Sequence, residues 1–170
     1  MPDVQAQDGT VTILYRHVAF FGWLYSWHGA VADIALNPTV PWDVDIRGGA
    51  SKVTADLRDI RLRSFTVIGG ASDIELLLPH PTGTVPIHVS GGVSNVAVYR
   101  PPGVAARVRV GGGFSRLTLD GRCPSDWGGS IELETPGYPS AIDRYDIGVD
   151  GGASRVSVDI LPHASSSATR

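Results

Sequence analysis

One cysteine in 170 residues, Cys123, leaves no partner for an internal disulfide and excludes a multi-thiolate zinc site. Neither charge sign is in excess. A formal net charge of -3 and a pI of about 5.9 provide no pull toward nucleic acid or anionic lipid. No stretch approaches the roughly 18 uncharged apolar residues of a membrane span. The opening Met1-Pro2-Asp3-Val4-Gln5 has neither the basic start nor the apolar run of a secretory signal. The expectation is a soluble cytoplasmic protein with no nucleic-acid partner and no direct membrane insertion. Disorder is excluded by composition, since 42% of residues are apolar and only 18% charged.

What the chain has in abundance is one phrase. Val44-Asp45-Ile46-Arg47-Gly48-Gly49-Ala50-Ser51-Lys52-Val53 returns around Gly69-Gly70-Ala71-Ser72, Gly91-Gly92-Val93-Ser94, Gly112-Gly113-Phe114-Ser115 and Gly151-Gly152-Ala153-Ser154. The serines are spaced 21, 22, 21 and then 39 residues apart. A fixed period in this range signals a repeat architecture. The long last gap contains Gly128-Gly129-Ser130-Ile131-Glu132-Leu133-Glu134, which reads either as a degenerate rung or as an inserted hairpin within 121–143. Upstream, Val31-Ala32-Asp33-Ile34-Ala35-Leu36 matches the pattern weakly and suggests a first, imperfect repeat.

Within each repeat apolar residues alternate with period two, the strand signature. Four apolar columns result: Val44, Phe65, Ile87, Val108, Ile147; Ile46, Val67, Val89, Val110, Val149; Val53, Ile74, Val96, Leu117, Val156; and Ala55, Leu76, Val98, Leu119, Val158. Each repeat is therefore strand, corner, strand and variable return. Glycine at the corner supplies backbone angles that other residues adopt only with strain. The corner residues are Gly49 with Ser51, Gly70 with Ser72, Gly92 with Ser94, Gly113 with Ser115 and Gly152 with Ser154. By parity the serines share the buried face and should stack inward as a ladder, satisfying backbone groups at the bend. One repeat cannot bury enough surface to stand alone, so neighbours must stack. The fold expected is all-β: a short single-domain β-solenoid, or β-helix, with rungs of about 21–22 residues and about six of them.

The ends differ from the middle. Val11 to Val18 reads as a strand, and the aromatic run holding Phe20, Phe21, Trp23, Tyr25 and Trp27 follows it. Residues 1–30 are thus expected to form an N-terminal strand and aromatic cap, 31–160 the repeats, and 161–170 a small polar tail that frays.

The recurring Gly-Gly-Ala-Ser-x-Val-x-x-Asp-Leu resembles the repeat of bacterial adhesin-type and cell-wall-active-antibiotic-response (toast-rack) β-solenoid domains, over about Val31 to Ile160. The resemblance implies an accessory or envelope-stress module without known catalytic residues. A weaker similarity to bactofilins, short β-helices that polymerise end to end, implies self-assembly. Envelope relatives usually carry membrane spans, a feature absent from this sequence.

No constellation of acid, base, nucleophile or ligand recurs. His17, His28, His80, His88 and His163 lack ligand spacing, so neither a metal nor another cofactor is expected. Asp56, Asp120 and Asp159 share one column, but Leu77 and Tyr99 interrupt it, which weakens a polysaccharide-processing reading. The glycine pairs lie between strands, with no following helix, and lack the anion-binding logic of a phosphate loop. Cys123 sits in a loop with no base nearby in sequence. The sequence points to a non-enzymatic scaffold that self-associates or docks a protein partner. The aromatic run Phe20, Phe21, Trp23, Tyr25 and Trp27 is its candidate interface. A polysaccharide-binding or processing β-helix, with a glycan as ligand, is the alternative, and an envelope-stress accessory domain is the third reading.

Overall fold

The computed structural model describes residues 3–7, 9–14, 33–124 and 130–161. It divides into two compact units, Met1–Ala35 and Leu36–Arg170. In the first, β1 (Asp3–Gln7) and β2 (Thr10–Leu14) pair antiparallel around a turn at Gly9. The aromatic run, residues 20 to 27, lies outside the described residues, as does the tail from 162 onward.

The second unit is built from strand pairs joined at glycine corners. They are β3 (Pro41–Arg47) with β4 (Ala50–Asp56), β5 (Arg61–Ile68) with β6 (Ala71–Leu77), β7 (Thr84–Ser90) with β8 (Val93–Arg100), β9 (Ala105–Gly111) with β10 (Phe114–Leu119), and β12 (Arg144–Asp150) with β13 (Ala153–Ile160). Each pair, here a tier, sends one strand to each of two open sheets. Among the described residues there are five tiers, against about six expected. Asp33 to Asn37 are not in strand, so the imperfect first repeat is absent there; Leu36 packs on the core while Ile34 stays exposed. The two sheets face each other across one core, and the four apolar columns all point into it. Phe65, Val67, Ile74, Leu76, Ile87, Val89, Val96, Val98, Val108 and Val110 are essentially inaccessible.

Tier order does not follow the sequence. The sheets run β3-β5-β7-β12-β9-β11 and β4-β6-β8-β13-β10, so the last tier in the chain slots between the third and the fourth. Within these two sheets all strand pairings are parallel except that of β11 (Ile131–Glu134), which runs antiparallel along β9 and forms that sheet's far edge. The gap segment thus supplies an added edge strand, and among the described residues it contributes no strand to the other sheet, as a rung would. The apolar columns allow either order, because the fourth and fifth tiers fill them with similar aliphatic residues, Val108, Val110, Leu117 and Leu119 against Ile147, Val149, Val156 and Val158. What distinguishes the last tier is Tyr145. It is fully buried between Val85 and Ala106, and its hydroxyl donates to the Pro79 carbonyl at 2.7 Å. A ring of that size suits a neighbour as small as Ala106.

The corners carry the closest backbone contacts in the fold. Gly48, Gly69, Gly91, Gly112 and Gly151, the residues before those assigned to the corner by sequence, take φ between 106° and 136°. They stack directly. A Cβ on Gly69 would sit 2.3 Å from the Gly48 carbonyl oxygen, on Gly91 2.3 Å from that of Gly69, and on Gly151 2.5 Å from that of Gly91. Backbone bonds continue through the bend, with Gly69 N–H donating to Ser90 O and Gly91 N–H to Asp150 O, both at 2.9 Å. The second glycines, Gly49, Gly70, Gly92, Gly113 and Gly152, are not in that left-handed region, and Gly92 has open space beside it.

The serine ladder faces the other way. Ser51, Ser72, Ser94, Ser115 and Ser154 are exposed, and the inward place goes to the preceding Ala50, Ala71, Val93, Phe114 and Ala153. Parity counted through the corner fails because the bend uses one extra residue. Ala71 and Ile74 both face the core with Ser72 and Asp73 outside between them. The serine positions are correspondingly skipped in the strand pairing, as Ala71 pairs with Val93 and then Asp73 with Asn95.

Two outcomes check this architecture. Gly91→Ala should cost about 3 kcal/mol in urea unfolding, combining backbone strain with steric overlap, whereas Gly92→Ala should stay within about 0.5 kcal/mol. In a Cys123→Ser background, Ala97→Cys with Ser157→Cys should oxidise readily, because those residues are paired neighbours. Adjacent strands lie about 4.8 Å apart, inside the Cα range of a disulfide. Ala97→Cys with Thr118→Cys, which a sequential stack would make neighbours, should remain reduced; its oxidation would refute the inserted tier.

Candidate functional site

The buried interior is almost wholly apolar among the described residues. Among the described residues its polar exceptions are Arg100 and Thr135. Arg100, at the end of β8, reaches past Ile160 of the inserted tier to the Asp120 carboxylate and to the Val104 carbonyl, and its head is 3% exposed. Asp120, beyond β10, is the one described non-glycine residue with positive φ, at 50°. Its carboxylate is thus committed to holding the third and fourth tiers over the fifth. Thr135 accepts from the Ala106 N–H through its hydroxyl at 2.9 Å and ties β11's end to β9.

The acidic column comes out as Asp56, Leu77, Tyr99, Asp159 along the strand pairing, so no continuous acidic row forms. Asp56 pairs with Arg58 at 2.6 Å and Asp120 with Arg100. His80 is exposed in a return; His88, on β7, has Nδ1 3.7 Å from the Asp150 carboxylate; His17, His28 and His163 lie outside the described residues. No group of three or more His, Cys, Asp or Glu side chains among the described residues could hold a metal ion. Cys123 is exposed. No described helix is long and apolar enough to cross a membrane.

Charge is concentrated instead on the outer face over β12, β9 and β11. Asp146 receives Arg107 at 2.8 Å and Arg109 at 2.9 Å, and Glu134 lies 3.8 Å from Arg107. The Tyr138 ring is flanked by the guanidiniums of Arg107 and Arg144, each 5.0 Å from its centre. Burial pushes the Asp146 carboxyl up, but its two arginines outweigh this and hold it below its ordinary value. Burial raises the Tyr138 phenol. The network straddles the inserted tier and locks it to its neighbour. Sequence reasoning missed it. The alternation Arg107-Val108-Arg109 marked two outward cations, but their partner Asp146 lies 39 residues from Arg107 and only the tier order brings it alongside.

At the opposite end of the array the core is less well covered. Val44, Ile46, Val53 and Ala55 of the first tier are only half-buried, while their counterparts in the next tier are inaccessible. Among the described residues β3 has one sheet neighbour, β5, and β4 has one, β6. Among the described residues each therefore has one edge without a strand partner. Charged Asp43, Asp45 and Arg47 alternate along β3, with Arg47 held by Asp45 at 2.7 Å and Arg63 and Ser64 both bound to Asp43. Trp42 Nε1–H donates to the Asn37 carbonyl at 2.8 Å, anchoring the entry to β3.

The Asp146 network predicts a pH-dependent stability. A carboxyl with a depressed folded pKa stabilises fully above its unfolded value, and that contribution is lost as pH falls through the folded one. Asp146→Asn should therefore cost about 1–2 kcal/mol at neutral pH. The gap to the parent protein should close as pH drops below the ordinary aspartate value of 3.8. A gap unchanged in acid would show that the carboxylate charge is not what the arginines hold.

Comparison with known proteins agrees with this architecture. The family model described as the N-terminal domain of toast_rack, DUF2154, matches residues 4–99, more than half of the chain. No curated protein matches significantly. Among solved structures, a candidate cell adhesion protein from Clostridium sporogenes ATCC 15579 superposes with a TM-score of 0.69 at 14% identity, over 95% of this chain and 76% of that one. At that identity the likeness is one of fold. The repeat phrase, the paired parallel sheets and the family match together place the chain in the toast-rack family.

Proposed function

We propose that this protein is a non-enzymatic interaction module, a short β-solenoid whose β3/β4 end docks a protein partner. The observation that carries this is the half-covered first tier, whose two strands each have, among the described residues, a sheet neighbour on one side alone. Partner strands added there would continue the ladders and complete the burial of Val44, Ile46, Val53 and Ala55. The toast-rack family is not a known enzyme family, and the structurally similar Clostridium protein is named for cell adhesion; both fit a binding role. The aromatic residues Phe20, Phe21, Trp23, Tyr25 and Trp27 belong to the same reading as further interface candidates, and so do the cytoplasmic location and the choice between a second copy and a foreign partner.

Self-association is tested first, by light scattering coupled to size exclusion over a concentration series. The intact chain should form oligomers that Ile46→Lys and the pair Trp23→Ser with Trp27→Ser each weaken at least tenfold in dissociation constant, with strand content by circular dichroism unchanged. A folded monomer of the intact chain at every concentration would overturn self-association.

A further inference from the structure

The serine row and the polar row beside it follow β4-β6-β8-β13-β10 across the second sheet. The polar row reads Lys52, Asp73, Asn95, Arg155, Arg116 in spatial order. Over the last three strands it loses its acid and becomes two neighbouring guanidiniums. There the surface sinks into an open depression of about 360 Å³ lined by Ser94, Asn95, Ser115, Arg116, Ser154 and Arg155.

Three features set this place apart. First, Arg116 and Arg155 are direct cross-strand partners, an arrangement that repels. Second, they make no ion pair or hydrogen bond among the described residues, and Arg122 is the one other described arginine without such a partner; the rest are held by carboxylates, carbonyls or hydroxyls. The nearest acid in the row, Asp73, is two strands from Arg155, about 10 Å away and past the screening length at physiological salt. Third, the bend that turns the serines outward adds Ser94, Ser154 and Ser115 beside these cations. Guanidinium groups only donate, and hydroxyls and the Asn95 amide are able to donate toward the same point. Two guanidiniums about 4.8 Å apart at their backbones suit an anion that presents several oxygens at once.

We infer that this depression binds a phosphate-type oxyanion, free or as a phosphate ester, between Arg116 and Arg155 with the three serines as supporting donors. The repulsion between the arginines is what the anion relieves, and no carboxylate is among the residues that line the depression.

The test is an amide NMR titration of the intact chain with inorganic phosphate, at ionic strength matched with chloride. Saturable shifts should appear at Ser94, Ser115, Ser154, Arg116 and Arg155. Arg116→Ala with Arg155→Ala should weaken binding at least tenfold while leaving the rest of the spectrum in place, and Arg122→Ala should leave affinity unchanged. Equal shifts with chloride, shifts centred elsewhere, or an unaltered affinity in the double variant would each overturn the site. Co-sedimentation with vesicles of phosphatidylglycerol in phosphatidylcholine then identifies the source. Arginine-dependent pelleting marks a lipid headgroup, and its absence alongside saturable phosphate binding marks a soluble phosphate compound.

Discussion

The stacked glycine corners are the constraint on which the other features of this fold depend. At Gly69, Gly91, Gly112 and Gly151 the backbone must turn with positive φ while lying against the carbonyl of the glycine in the adjoining tier. A side chain fails there twice, by conformation and by overlap. The close approach keeps the backbone ladder unbroken around the bend. Both sheets consequently keep one register beside the corners, broken only by a bulge between Trp42 and Asp43 among the described strand pairs, and each apolar column stacks on its own kind along its sheet. The corner's extra residue also decides the surface, because it sends the serines outward and gives the inward place to alanine, valine or phenylalanine.

A register this uniform leaves tier order undetermined, and specificity has to come from side chains that break the repeat. Those side chains cluster around the inserted tier. Tyr145 fills the space beside Ala106 and is tied to Pro79; Arg100 bridges over Ile160 to Asp120; Asp146 gathers Arg107 and Arg109. The first three tiers contact their sequence neighbours, whereas β12 must find β7 across 60 residues, as Arg144 pairs with Thr84. Long-range polar ties therefore lie where chain entropy opposes assembly most.

This division explains what was legible in the sequence. The four columns and the polar rows follow from period-two alternation, which is local, and the structure has them where the pattern puts them; the left-handed turn falls on the first glycine of each pair, one residue before the position assigned from sequence. Serine orientation was misjudged because strand parity does not survive a bend that inserts a residue. The six-rung sequential stack was misjudged because the matching apolar columns of the fourth and fifth tiers contain no information about which lies next to the third. Tyr145, which sets the fifth tier apart from the fourth, held that information, yet its meaning depends on Ala106, 39 residues earlier, being its neighbour. Glu132 and Glu134 alternate like any strand, and that pattern could not show that β11 would pair antiparallel with β9 instead of adding a tier.

Function in such a molecule has to reside outside the core, since the interior is used up by packing. The outer rows are free to vary from tier to tier without disturbing the columns, and they do. The row beginning at Lys52 changes from a mixed pair, Lys52 and Asp73, to two adjoining arginines without an ion-pair partner among the described residues, while the row holding Asp146 becomes a closed ion network. The two outcomes differ in what remains for a ligand. Where carboxylate and guanidinium neutralise each other the surface is spent on holding tiers together. Where like charges adjoin and hydroxyls line the same hollow, the fold tolerates a local repulsion that a bound anion removes.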